Sequence, residues 1–196
     1  MKSVLAVVSV AGVLIGGTVA CADTVLTFEG HQNTIYTAPI VRSGYQIRNP
    51  VGQQQHFHEV NSTTFGLPNN GTGILLNDRQ TEIQITMVGG GDFSLVSFDA
   101  AVYTSVGTMT VTGYSNGGVV GSFNTGSLST TTFANFGGLS LGSIDEVRFS
   151  SDNPGGSNGF TLDNVTLREG VIIPLPGAAG MGLAGLGLVA VRRRRA

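Results

Sequence analysis

Residues 108–123 read TMTVTGYSNGGVVGSF, and this stretch decides the fold class. Met109-Thr110-Val111-Thr112 alternates apolar and polar residues at the two-residue period of a strand. Val119 to Phe123 resumes a β-branched and aromatic composition. Between them lies Ser115-Asn116-Gly117-Gly118, whose central Asn-Gly tolerates the positive φ that tight hairpin turns demand. The spacing predicts an antiparallel pair, residues 108–114 with 119–123. Outward from the hairpin, Val25-Leu26-Thr27-Phe28, Tyr45-Gln46-Ile47-Arg48 and Ile83-Gln84-Ile85-Thr86-Met87 carry the same patterns, bounded by Gly, Pro and Asn. In Phe93-Ser94-Leu95-Val96-Ser97-Phe98-Asp99-Ala100 the apolar parity switches between Leu95 and Val96, as a β-bulge requires. Residues 144–150 and 160–167 are expected to be closing strands around a turn-rich 152–159. Residues 53–73 are polar and irregular, a long loop with a short strand at 57–60. No interior window sustains a 3.6-residue period, and no internal repeat is visible. About ten short strands with turns every 8 to 12 residues predict an all-β chain, a two-sheet antiparallel β-sandwich of jelly-roll type, with a closed barrel as the alternative.

Both ends of the chain depart from this pattern. Lys2, an apolar run over residues 4–15 and Ala20-Cys21-Ala22 compose a secretory signal peptide, 1–22, with Ala20 and Ala22 as the small residues at the cleavage site and Asp23 as the mature start. Cys21 also admits lipidation, although Thr18 stands where a lipobox has leucine. Cleavage after Ala22 leaves a domain without cysteine, which excludes disulfides, thiol catalysis and thiolate metal sites. At the other end, residues 171–196 read VIIPLPGAAGMGLAGLGLVAVRRRRA. Pro174 and Pro176 interrupt regular structure, residues 177–191 are uncharged, and Arg192, Arg193, Arg194 and Arg195 follow as a stop-transfer signal. Fifteen helical residues span roughly 22 Å, short of a bilayer core unless the flanks contribute. Arginine clusters stay cytoplasmic, so the domain at 23–170 is expected on the outer side.

Pro174-Leu175-Pro176, a short Gly/Ala/Leu helix and a terminal arginine run resemble the PEP-CTERM class of bacterial surface-sorting signals, in the variant written Val-Pro-Leu-Pro-Ala. Here Ile173 and Gly177 replace the outer residues of that motif. The resemblance covers about 25 residues. It implies membrane insertion through the C-terminal helix, then recognition by an exosortase-type processing enzyme, in bacteria that make extracellular polysaccharide.

The domain between the ends is acidic. It holds all twelve acidic residues, whereas its basic residues are Arg42, Arg48, Arg79, Arg148 and Arg168; five against twelve leaves −7, hidden beneath an overall −2. Nucleic acid and anionic lipid are poor partners for such a charge. Charged residues make up 11% of the chain, against about 25% in an average protein, so the surface is polar chiefly through Gly, Ser, Thr and Asn.

Candidate chemistry is sparse. His56 and His58 lie two apart, which on a strand puts both on one face, where they could meet a metal, with Glu59 pointing the other way; the alternative is an exposed strand or loop. Leu26-Thr27-Phe28-Glu29-Gly30 and Phe160-Thr161-Leu162-Asp163-Asn164-Val165-Thr166-Leu167 resemble the first and last strands of carbohydrate-binding jelly rolls. The resemblance implies a structural calcium ion between Glu29 and Asp163 as the possible cofactor; the alternative is two solvated carboxylates. The loop at 152–159 has one carboxylate and reads as a turn. Gly89-Gly90-Gly91 has no lysine nearby and needs no ligand. No Gly-x-Ser-x-Gly elbow, His-Glu-x-x-His or Walker loop occurs, so no catalytic residue is assigned and no enzyme is expected. There is no Trp; Tyr36, Tyr45, Tyr103 and Tyr114 are the aromatic candidates for contact with sugar. Asn61, Asn70 and Asn164 head glycosylation-like triplets. The expected protein is a non-enzymatic surface or matrix protein associated with extracellular polysaccharide; the alternatives are a carbohydrate-binding jelly-roll module and a small glycan hydrolase.

Overall fold

The computed structural model describes residues 22–29, 33–61, 66–68, 70–78, 82–103, 106–151 and 159–170. Thirteen strands occur among them: β1 (Asp23–Leu26), β2 (Thr34–Tyr36), β3 (Ile40–Arg42), β4 (Tyr45–Arg48), β5 (Phe57–Asn61), β6 (Gly73–Asn77), β7 (Glu82–Met87), β8 (Phe93–Val102), β9 (Met109–Ser115), β10 (Gly118–Asn124), β11 (Ala134–Gly137), β12 (Glu146–Ser151) and β13 (Phe160–Glu169). Four of them, β2, β3, β6 and β11, lie in stretches too short or too uniform for periodicity to reveal. No helix among the described residues is long and apolar enough to cross a membrane. The expected signal peptide up to Cys21, the loop at 152–158, and the sorting segment with Pro174, Leu175, Pro176 and Arg192 to Arg195 lie outside the described residues.

The strands form two wholly antiparallel sheets. One runs β11-β8-β13-β6-β5-β2, with β1 added to β13; the other runs β10-β9-β12-β7-β4-β3. Chain connections pass repeatedly from one sheet to the other, as in jelly rolls, and the result is the expected sandwich. The quoted hairpin forms as its sequence dictates: Ser115 pairs with Gly118, and Asn116 and Gly117 turn at φ 51° and 76°, the geometry of a type I′ turn.

The ten-residue β13 is the spine of the first sheet. Its whole length pairs with β8, while its opposite edge is shared, β6 along Phe160 to Leu162 and β1 along Val165 to Arg168. The expected parity switch in β8 is present, for Leu95 and Phe98 both face the core. It is compensated by a second irregularity in β13 between Asp163 and Thr166, where Asn164 takes φ 47°. Two bulges of opposite effect restore the register at both ends of the pair.

The inner faces bury a continuous apolar core. Phe98 of the first sheet meets Phe149 of the second edge-on with centroids 5.2 Å apart, and Phe93 meets Tyr45 in the same way at 5.4 Å, the arrangement that aromatic quadrupoles favour. A Cβ on Gly113 would approach the Ile144 side chain to 2.8 Å, so glycine there lets the segment before β12 close over the core. A smaller cluster, Val60, Leu67, Ile74 and Leu76 with Tyr103 and Phe133 against it, covers part of the outer face of the first sheet.

Candidate functional site

Register defines a polar array on the outer face of the second sheet. Arg148 pairs with Thr112 on one side and Gln84 on the other, and Gln84 pairs with Arg48. Cross-strand partners share a face, so these four side chains form one row; Tyr114, Glu146, Thr86 and Gln46 form the next. Their inward neighbours Ile83, Ile85, Val111, Val147 and Phe149 are buried in the core, which is why the polar members must face outward. Glu146 accepts hydrogen bonds from Arg148 Nε and Gln84 Nε2, and Arg48 Nε donates to Gln84 Oε1 at 3.2 Å. The Arg148 guanidinium stands 4.6 Å from the Tyr114 ring centroid, within cation–π range. Burial works against the charge of Arg148, but Glu146, Tyr114 and Glu82 outweigh it and raise its pKa. Val119, opposite Tyr114, is 61% exposed. The array therefore offers fixed planar donors and acceptors beside an apolar margin.

The four tyrosines separate cleanly. Tyr45 is buried in the core and Tyr103 packs on the smaller cluster. Tyr36 stacks on Phe57 with centroids 5.5 Å apart and donates its hydroxyl to Glu59 at 2.9 Å. Burial, then the Glu59 carboxylate, raise the Tyr36 pKa. Tyr114 alone of the four belongs to the polar array.

Glu59 points away from the histidines, as alternation requires, and is fully buried. Arg42 on β3 in the second sheet grips it with Nε at 3.1 Å and Nη2 at 3.0 Å, so the pair clasps the two sheets together at one edge. His56 and His58 do share a face, and their Nε2 atoms lie 3.1 Å apart. Sequence reasoning missed Asp78, whose Oδ1 sits 3.4 Å and 3.3 Å from those nitrogens; only the β5–β6 register could have revealed it.

Glu29 and Asp163 come together at the junction where β1 gives way to β6 along β13. Glu29 Oε2 accepts the Gly73 amide at 3.2 Å. A Cβ on Gly73 would fall 2.2 Å from the Phe28 carbonyl oxygen, so glycine is required for this approach. Asp163 is buried and accepts Asn70 Nδ2 at 2.5 Å, Thr72 Oγ1 at 2.7 Å and the Asn164 amide at 2.8 Å. Burial raises its pKa, opposed by those donors and assisted by the nearby Glu29 charge. Glu29 and Asp163 offer carboxylate oxygens, the donor chemistry of a hard cation such as calcium, and as placed those oxygens accept N–H and O–H donors from Gly73, Asn70, Thr72 and Asn164. In the same geometry the side-chain amides of two glycosylation candidates are engaged, Asn70 Nδ2 with Asp163 and Asn164 Nδ2 with Asp99 at 2.8 Å. Gly89, Gly90 and Gly91 all take positive φ, so their presence is conformational.

No protein-family model and no curated protein matches the sequence. Among solved structures, the chain is similar to a family 29 carbohydrate-binding module from Piromyces equi, at 14% identity and a TM-score of 0.41, covering 78% of this chain and 93% of that one. It is also similar to the family 32 carbohydrate-binding module of AlyQ, solved in complex with 4,5-unsaturated mannuronic acid, at 9% identity and a TM-score of 0.36, covering 66% of this chain and 97% of that one. At that distance nothing about ligand or activity passes from those proteins to this one. Fold and site define an antiparallel β-sandwich protein with a structured polar sheet face.

Proposed function

We propose that the domain is a non-catalytic module that binds neutral polysaccharide through the outer face of the β10-β9-β12-β7-β4-β3 sheet, in an exported protein carried to the cell surface by its C-terminal sorting segment. The observation that carries this reading is the Tyr114–Arg148–Glu146–Gln84–Arg48 network. A sugar presents vicinal hydroxyls, which planar guanidinium and carboxylate groups bind two at a time, braced here by the buried Gln84 amide beneath them, and an apolar C–H face, which suits the Tyr114 and Val119 margin. The network is already hydrogen-bonded, so little side-chain entropy remains to be lost on binding. Arg148 already neighbours Glu146 and Glu82 and the domain is acidic, which favours a neutral polymer over a polyanion. The residue order of the tail supports the sorting half of the reading, and calcium between Glu29 and Asp163 would serve to clamp strands. A glycan array followed by calorimetry on the parent, Tyr114→Ala and Arg148→Ala tests the binding half: a saturable neutral ligand lost in both variants is expected. Absence of any saturable glycan, or equal binding by all three proteins, refutes it.

A further inference from the structure

The register of β5 and β6 places three metal-ligating side chains at one point, outside the polar sheet face. His58 pairs with Leu76 and Glu59 with Leu75, so extending the ladder past its last bond sets Asp78 opposite His56, with His58 two residues along the same face. In space, His56 Nε2, His58 Nε2 and Asp78 Oδ1 form a triangle with edges of 3.1, 3.4 and 3.3 Å. They are the one group of three or more histidine or acidic side chains among the described residues whose ligand atoms lie close enough to share an ion. From these atoms we propose that His56, His58 and Asp78 bind a divalent first-row transition ion, with zinc as the representative.

Geometry and chemistry agree on this. A tetrahedral ion bonded at about 2.0–2.1 Å holds its donors roughly 3.3–3.4 Å apart, and an octahedral one about 3.0 Å apart; the observed edges fall between these limits. Asp78 Oδ1 is buried without a hydrogen bond of good geometry, and two imidazole nitrogens lie 3.3 and 3.4 Å away, near enough to pair with it when a ring is protonated. The three atoms converge within 3.4 Å of one another, and a cation among them would replace the His56–His58 hydrogen bond and the histidine–Asp78 contacts with three metal–ligand bonds. Two nitrogen donors disfavour calcium and magnesium, which take oxygen, whereas imidazole and carboxylate together suit zinc and its neighbours.

The surroundings hold the ligands still. Asn49, fully buried, accepts the His56 amide on Oδ1 at 2.8 Å and donates Nδ2 to the Glu82 carbonyl at 2.7 Å. Leu76, the cross-strand partner of His58, belongs to the smaller apolar cluster, so one flank of the site is dry. The side chains are 10%, 14% and 23% exposed. With three protein ligands and an opening to solvent, the ion keeps a coordination position for water or for an oxygen of a bound molecule.

The test uses the full chain in detergent, without a polyhistidine tag, stripped with chelator. Equilibrium dialysis against Zn²⁺ should show one tightly held equivalent, and Co²⁺ should give the visible d–d absorption of a low-coordinate nitrogen–oxygen site. His58→Gln and Asp78→Asn should each weaken Zn²⁺ by more than the roughly hundredfold that loss of an outer partner of a ligand costs. Asp163→Asn and Arg148→Ala should leave zinc binding unchanged, which separates this site from the calcium junction and the polar face. Should one ligand variant fail to fold by circular dichroism, the other decides. Stripped parent that takes up no Zn²⁺, folded ligand variants that bind it as the parent does, or equal displacement of Zn²⁺ by millimolar Ca²⁺ would each overturn the assignment.

Discussion

Arg42→Ala tests the edge clasp most directly. In the parent the fully buried Glu59 carboxylate receives Arg42 Nε, Arg42 Nη2 and the Tyr36 hydroxyl at 3.1, 3.0 and 2.9 Å. Truncation removes both charge-assisted bonds and leaves a buried anion with one hydroxyl donor. Breaking a buried ion pair from one side costs about 3–5 kcal/mol. The Arg42 side chain is 27% exposed, so water shares part of its load and a loss of about 2–3 kcal/mol is expected. For a domain of this size, 1 kcal/mol moves the melting temperature by about 2–4 °C, giving a fall of roughly 4–12 °C. Urea titration of the parent, Arg42→Ala, Arg42→Lys and the double variant Arg42→Met with Glu59→Leu provides the measurement. The lysine retains the charge without the two-pronged geometry, so its midpoint should lie between the first two. The double variant should recover much of the loss, because no unpaired charge remains buried. If Arg42→Ala lies within about 0.5 kcal/mol of the parent, a surface-like value, the clasp does not hold the sheets and the reasoning fails.

Three further outcomes are expected. If calcium joins Glu29 and Asp163, free calcium at about a hundred times its dissociation constant adds about 2.7 kcal/mol, so melting in calcium against chelator should differ for the parent and coincide for Asp163→Asn; superimposable parent curves eliminate the ion. In chelator, Asp163 also has a pH signature. Its folded pKa is raised above the usual 3.8, so its contribution is fully present below 3.8 and is lost as pH rises through the raised value. Asp163→Asn should flatten that decline, and an unchanged stability profile would contradict the burial argument. At the tail, each charge at a helix centre costs about 3 kcal/mol, so replacing Arg192, Arg193, Arg194 and Arg195 by Ser should release unprocessed protein to the medium; normal sorting and trimming of that variant, read by intact mass, would defeat the stop-transfer argument.

The chain by itself determined whatever depends on near neighbours. Alternation marked β4 and β7, Asn116-Gly117 marked the turn between β9 and β10, and the parity switch after Leu95 marked a bulge, because strand period and turn φ are set within a few residues. Alternation also put Glu59 on the opposite face from the histidines. The expectation of an export signal from Lys2 to Ala22 and a sorting tail from Pro174 to Arg195 rests likewise on local order. Tertiary structure decided which distant residues meet. Asp78 joins His56 across 22 positions and Asn70 joins Asp163 across 93, because β6 lies between β5 and β13. Arg148 reaches Tyr114 because β12 inserts between β9 and β7. Strand order in a sandwich follows from how two inner faces fill one core, and that is a property of the whole set of side chains, with no counterpart in the spacing along any one segment.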